Sequence, residues 1–225
     1  MKAVVLSSGG VDSTTCLALA VKEHGRENVS AVSVFYGQKH KKELEAARAV
    51  AEFYGVPRYE LDLSEVFTLS NCPLLEHSTA KIAHIAYSEQ KKAGGVETYV
   101  PFRNGLFLSV VASFAGSLYP KEDVEIYIGA HADDSAGDAY ADCRADFIET
   151  LSRAIAIGTY GYISIRAPFV GKNKAQVVAE GLKLGAPYEL TWSCYEGQDK
   201  PCGVCGTCRD RAAAFAANGV ADPAL

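Results

Sequence analysis

No apolar run in the chain approaches the length of about 20 residues that a bilayer-spanning helix needs, and its first residues read as a β-strand rather than a secretion signal. A membrane partner is therefore not expected, and the cytoplasm is the expected compartment. Basic charge is also scarce: 22 Lys and Arg stand against 27 Asp and Glu, a formal net charge of −5. Nucleic-acid surfaces need a dense cationic footprint, so a stable nucleic-acid complex is not expected and the substrate should be small. Internal repeats and low-complexity tracts are absent. Two common phosphate-binding signatures are missing as well, the G-K-[ST] of a Walker loop and the G-x-G-x-x-G of a dinucleotide site. What remains is a chain of 225 residues, 48% hydrophobic and 22% charged, enough for one sizeable soluble domain with its own core.

Cysteine, by contrast, is plentiful and unevenly placed. Four of the seven fall between positions 194 and 208 at the spacing C-x7-C-x2-C-x2-C: Cys194, Cys202, Cys205 and Cys208. Thiolates this close can bend back onto one tetrahedral ion, and Gly203 and Gly206 directly follow two of them, where a tight ligand turn tolerates positive φ. With all four positions cysteine, one structural Zn²⁺ is expected rather than a catalytic zinc, which keeps a position open. Thiolates available for a metal imply a reducing compartment.

At the other end, Lys2 to Leu6 reads as a short buried strand running into Ser7-Ser8-Gly9-Gly10-Val11-Asp12-Ser13-Thr14 and then an apolar-periodic helix with Cys16, Leu17, Leu19, Ala20 and Val21 on its buried face. Strand, glycine turn and helix is how α/β proteins hold phosphate: the glycines let the backbone approach and the N–H groups of the helix start point at the anion. The pattern continues with strands at 29–35, 58–63, 124–129 and 163–167 and helices at 39–54, 104–118, 144–157 and 172–184. Residues 76–97 are polar, end in Gly94-Gly95, and read as an insertion or lid; 131–140 reads as an acidic loop. Such alternation predicts an α/β fold with a doubly wound parallel sheet, organised as a domain over 1–190 and a zinc-binding helical lobe over 191–225 within one compact unit. Ligands then belong at the carboxyl ends of the strands, in the loops carrying Ser8 to Ser13, Tyr36 to His40, Asp62 onward, Gly129 to Asp134 and Pro168 to Lys174.

Ser8-Gly9-Gly10-Val11-Asp12-Ser13 resembles the S-G-G-x-D-S loop of the PP-loop ATP pyrophosphatases, which cleave ATP between its α and β phosphates. Five further motifs narrow the likeness: Tyr36-Gly37-Gln38-Lys39-His40; Tyr99-Val100-Pro101-Phe102-Arg103-Asn104; Gly129 with Ala132-Asp133-Asp134; Tyr140-Ala141-Asp142-Cys143-Arg144; and Thr191-Trp192-Ser193-Cys194-Tyr195 with Cys202, Cys205, Cys208 and Asp222-Pro223. In this order, across nearly the whole chain, they resemble the 7-cyano-7-deazaguanine synthase family of queuosine precursor biosynthesis. One position departs from it, Ala141 in place of the family's proline, which loosens the loop around Asp142 and Cys143 without removing a functional group.

The resemblance implies an ATP-dependent carbon–nitrogen ligase turning 7-carboxy-7-deazaguanine and ammonia into a nitrile through adenylated acid and amide, with Mg²⁺ on the phosphates and a homodimeric assembly. A fused glutaminase domain finds no room in the chain, so ammonia is expected to arrive free. On these motifs Ser8, Gly9, Gly10, Val11, Asp12, Ser13 and Thr14 would hold ATP, Asp12 would carry the Mg²⁺, and Lys174 would neutralise the leaving phosphates. Asp12, Ser13, Lys174 and Arg103 form the expected catalytic set; Arg103, Asn104, Asp134, Asp142, Arg144 and His40 the expected substrate set. Asn104 also suits a helix cap, and His40 also suits a surface position opening a helix. Which aspartate among Asp133, Asp134 and Asp142 reads the base stays open, as does Cys143 between reactive thiolate and inert core. Two other readings stand beside this one: a PP-loop enzyme modifying a tRNA base, and a nucleotide-binding protein without turnover or with a protein acceptor.

Overall fold

The computed structural model describes residues 1–82, 84, 96–136, 139–197 and 199–224. Five strands, β1 (Lys2–Leu6), β2 (Val29–Phe35), β3 (Arg58–Asp62), β4 (Val124–Tyr127) and β5 (Ile163–Arg166), form one sheet in the order β3-β2-β1-β4-β5. All four pairings are parallel. The central strands are buried on both faces, as a parallel sheet covered by crossover helices requires. Ala3 and Val5 of β1 face one core layer with Cys16 and Leu17, and Val4 faces the other with Leu108, Val111 and Ile126.

The helices are α1 (Val11–His24), α2 (Lys42–Tyr54), α3 (Arg103–Leu118), a single turn α4 (Ala132–Ser135), α5 (Ala145–Gly158), α6 (Lys174–Leu184) and α7 (Gly206–Ala217). The expected face of α2 is present: Leu44, Ala47, Val50 and Ala51 are buried and Tyr54 packs partly beneath them. Several ends differ from expectation for local reasons. α2 starts at Lys42 rather than 39 because the chain is still turning out of β2, where the Gln38 side chain accepts the Tyr36 N–H at 2.8 Å. β3 stops at Asp62, whose Oδ1 accepts both the N–H and hydroxyl of Ser64 at 2.9 and 2.6 Å and so starts a turn. β4 ends before Gly129, which leaves the ladder to press against Asp12. Part of the acidic loop winds into α4. Most of the polar segment expected at 76–97 lies outside the described residues, and no helix among those described is long and apolar enough to cross a membrane.

The sheet order changes direction between β1 and β4, and a crevice opens outside the carboxyl ends of those two neighbours. The loop after β1 and the loop after β4 therefore face one another across it.

Candidate active site

The loop after β1 is shaped by one glycine with positive φ. Gly9 sits at φ +83°, and a Cβ there would fall 2.2 Å from the Glu43 carbonyl oxygen and 2.6 Å from the Ala47 nitrogen of α2. Only glycine admits both the conformation and the contact. Gly10, extended, then starts α1 with no side chain capping that end, so the first-turn amides stay available to an anion. Ser13 Oγ lies 3.2 Å from the Gly10 carbonyl and from the Ser8 N–H, and 3.1 Å from Ser8 Oγ, which closes the loop on itself. Gly129 backs it from β4: a Cβ would lie 2.9 Å from the Asp12 carbonyl carbon and 3.1 Å from the Ser13 nitrogen.

Asp12 is the electrostatic centre. The Lys174 ammonium donates a short hydrogen bond to its Oδ2, and His131 Nε2 lies 3.8 Å from its Oδ1. Among the described residues, nothing hydrogen-bonds to the buried Oδ1. Burial works to raise the Asp12 pKa, but the Lys174 charge and then His131, with hydrogen bonds, overcome it and hold the carboxyl below its ordinary value. Asp134, 3.4 Å from His131, goes the other way: burial raises it, and the Asp12 charge adds to the rise while His131 opposes it. Lys174 is aimed by the start of α6, where Asn173 and Gln176 form a reciprocal capping box at 2.9 Å each way and Asp133 accepts the Lys174 N–H at 2.7 Å.

From the loop after β1 a cavity of about 630 Å³ runs to a second polar end built on Arg103. Phe102, immediately before α3, adopts left-handed φ +54° and folds its ring over Gly105, where any Cβ would meet the ring at 2.4 Å. Such a conformation is rare outside glycine and persists where packing enforces it. It turns Arg103 inward, with its guanidinium carbon 5.3 Å from the centre of the Tyr36 ring and Nη1 3.4 Å from the Tyr36 hydroxyl. Val34, Phe107, Ile128, Trp192 and Tyr195 add apolar and aromatic wall. Glu43, the first acidic residue of α2, faces the same space; burial pushes its carboxyl up to about 7 against the opposing pull of Arg103.

The C-terminal lobe closes the cavity. The Trp192 backbone N–H donates to the Gly9 carbonyl at 2.9 Å, which ties the lobe to the loop after β1. Beyond it the ligand atoms of Cys194, Cys202, Cys205 and Cys208 lie within 4.8 Å of one another. Four sulfurs about 2.3 Å from a zinc would lie a little under 4 Å apart, so the set fits such an ion. Backbone N–H groups of Glu196 and Cys202 point at Cys194 Sγ at 3.4 and 3.3 Å, and Cys205 N–H points at Cys202 Sγ at 3.3 Å. The lobe is pinned from behind by Arg211. Its guanidinium reaches both Asp222 oxygens at 2.7 and 2.9 Å, Thr191 Oγ1 at 2.7 Å and the Tyr188 carbonyl at 3.1 Å.

Ser8, Gly10, Val11, Asp12, Ser13, Arg103, Asn104, Asp134 and Lys174 line the cavity together. Gly9 and Thr14 stand behind the loop, Thr14 wholly buried. Asp142 is buried behind the wall, where its Oδ2 accepts the Asn104 N–H at 2.8 Å and so caps α3; Asn104 Nδ2 lies 3.1 Å from Cys143 Sγ. The Ala141 turn keeps its form through Cys143 N–H to Tyr140 carbonyl at 3.0 Å. Burial raises the Cys143 thiol far above its ordinary value, the behaviour of an inert core cysteine. His40 packs edge-on to Trp192, with ring centres 6.4 Å apart, outside the lining. Arg144 is turned outward onto Asp146 at 2.8 Å. Among the described residues, none from the loop after β3, expected to contribute, lines the cavity; β3 is the sheet edge.

Glu43, His131 and Arg211 were not among the residues expected from the sequence. His131 lies in a strand-end loop that the topology rule selects. Glu43 directly precedes Leu44 on the buried side of α2, a place unusual for an unpaired acid. For Arg211 no sequence signal distinguishes it from any helical arginine.

The family model described as Queuosine biosynthesis protein QueC matches residues 2–219. The chain is similar to the 7-cyano-7-deazaguanine synthase of Archaeoglobus fulgidus, 43% identical over 100% of this chain and 90% of that protein. A synthase of the same name from Caldicellulosiruptor saccharolyticus is 42% identical over 99% of this chain and 94% of the relative. Among solved structures, NMN synthetase from Francisella tularensis shares the fold, with a TM-score of 0.51 at 14% identity over 97% of this chain and 77% of that one.

Proposed function

Because the chain belongs to the QueC family of queuosine-biosynthesis proteins, we propose that it is an ATP-dependent ligase converting 7-carboxy-7-deazaguanine and ammonia into 7-cyano-7-deazaguanine. One observation carries this reading: a single cavity of about 630 Å³ joins the Ser8–Ser13 anion loop to Arg103. That volume lies in the range of small-molecule sites. ATP phosphates belong at the α1 amides beside Lys174, and the acid's carboxylate belongs at Arg103, whose planar fork suits it. The deazaguanine ring is left the aromatic walls of Tyr36, Phe107, Trp192 and Tyr195, with Asp133 and Asp134, rather than the buried Asp142, as the cavity-lining aspartates that could accept from its N–H groups.

A carboxylate oxygen is a poor leaving group. Its attack on the α phosphorus, with pyrophosphate released onto the loop, makes it the good leaving group AMP. Ammonia then displaces AMP to give the amide, and a second ATP activates the amide oxygen so that it departs as the nitrile forms. The orphaned Asp12 Oδ1, buried and beside the phosphate site, is the oxygen that would hold Mg²⁺. When bound, that ion would neutralise charge developing on the phosphates. The four cysteines would hold one structural zinc that keeps Trp192 to Tyr195 against the cavity.

Purified protein incubated with 7-carboxy-7-deazaguanine, Mg-ATP and ammonium should yield the nitrile and AMP by mass spectrometry. Formation of ADP in place of AMP, or no ATP consumption, would refute it.

A further inference from the structure

Glu43 occupies a junction that the proposed chemistry leaves unused. Its main chain packs against the loop after β1, the Glu43 carbonyl being what excludes a Cβ at Gly9, while the residue lines the same cavity as Arg103, whose charge acts on its carboxyl. It therefore stands where the phosphate end and the carboxylate end meet, beside the place where the α phosphorus and the acyl carbon must come together. Among the described residues the charge that acts on it is Arg103, and no hydrogen bond fixes it. The titratable groups lining the same space are Tyr36 from the end of β2, Arg103 from α3, Asp12 from α1, Lys174 from α6, Tyr195 from the lobe, Asp210 from α7, and, from the loops after β4, His131, Asp133, Asp134, Tyr140 and Cys143.

We propose that Glu43 is the ammonium site and the base that converts ammonium to the attacking ammonia. The proposal rests on the ligase reading above. At neutral pH ammonium has no lone pair to offer, so a proton must leave before the C–N bond forms. Ammonium hands one proton to the Glu43 carboxylate. The nitrogen lone pair then bonds to the acyl carbon, the bond from that carbon to the AMP oxygen breaks, and AMP departs with the electron pair. The second proton passes from the new nitrogen to the departing phosphate oxygen. Burial favours this role, since it raises the basicity of the carboxylate toward that of its proton donor, while a cation placed against it favours the ionised form.

The test separates activation from amination in Glu43→Gln. Acid-dependent exchange of labelled pyrophosphate into ATP reports adenylation alone, and hydroxylamine, unprotonated at neutral pH, captures the acyl-adenylate without a base. Glu43→Gln should retain exchange and hydroxamate formation within about threefold of the parent, while ammonium-dependent amide formation falls by about 10² or more. Its residual rate should climb about tenfold per pH unit, tracking free ammonia, and Glu43→Asp should recover part of the loss. Ammonia use unchanged in Glu43→Gln, or hydroxamate and amide falling together, would overturn the assignment. Absence of exchange in the unaltered protein would instead sink the adenylation reading, and this proposal with it.

Discussion

Arg211 and Asp222 form a buried ion pair whose loss should be felt both in stability and at the active site. Their side chains are 4% and 3% exposed, which takes the pair out of the class of surface salt bridges worth little. The guanidinium makes two bonds to Asp222 and others to Thr191 and the Tyr188 carbonyl, so every face of it is committed. Asp222→Asn keeps the shape but leaves Arg211 as a buried charge without its counter-ion. Breaking one side of such a pair costs about 3–5 kcal/mol. At roughly 2–4 °C per kcal/mol for a domain of this size, the melting temperature should fall by about 6–20 °C. Thr191→Val removes both the bond from the charged Arg211 guanidinium and the hydroxyl's own bond to the Tyr188 carbonyl at 2.6 Å; the charged one alone should cost about 1.5–3 kcal/mol. Both are measured by calorimetry in zinc-replete buffer. Thr191 also leads into Trp192 and Ser193 of the cavity wall, so kcat/KM should fall with stability. A melting temperature within about 2 °C of the parent in Asp222→Asn would show that the pair contributes little to holding the lobe.

Gly129→Ala should displace the anion loop rather than unfold the protein: its Cβ would press on Asp12 and Ser13 backbone, an overpacking cost of about 1–3 kcal/mol, read as a raised KM for ATP with slowed pyrophosphate exchange. Chelation of zinc, or Cys205→Ala, should lower the melting temperature by several degrees and release one metal equivalent measurable by a chromogenic chelator; an unchanged melting temperature with lost turnover would assign the metal to the reaction instead. Asp12 has a folded-state pKa below its unfolded value, so its contribution to stability is present above the ordinary carboxylate range and is lost as pH falls through the depressed value. The stability difference between the parent and Asp12→Asn, followed by denaturant titration, should therefore shrink on acidification; a difference that grows toward acid pH would contradict the Lys174 pairing.

What neighbouring residues dictate to one another is legible in the sequence itself. Alternating strands and helices imply the doubly wound sheet, and the Ser8–Ser13 turn and C-x7-C-x2-C-x2-C spacing mark a candidate anion loop and a cysteine set that could hold a metal. Each of the two motifs is made by residues within a few turns of one another, so its geometry follows from short-range φ/ψ limits and ligand reach. The remaining assignments needed the fold. Asp12 meets Lys174 across 162 positions. Glu43 acquires its environment only when α2 packs behind the anion loop and α3 brings Arg103 across. Asp142 becomes a helix cap and Arg144 a surface residue only when the turn between them chooses its sides. A charged side chain carries the same letter in water and in a cavity; burial and the approach of distant partners decide its chemistry, and both arise from long-range packing that no local spacing encodes.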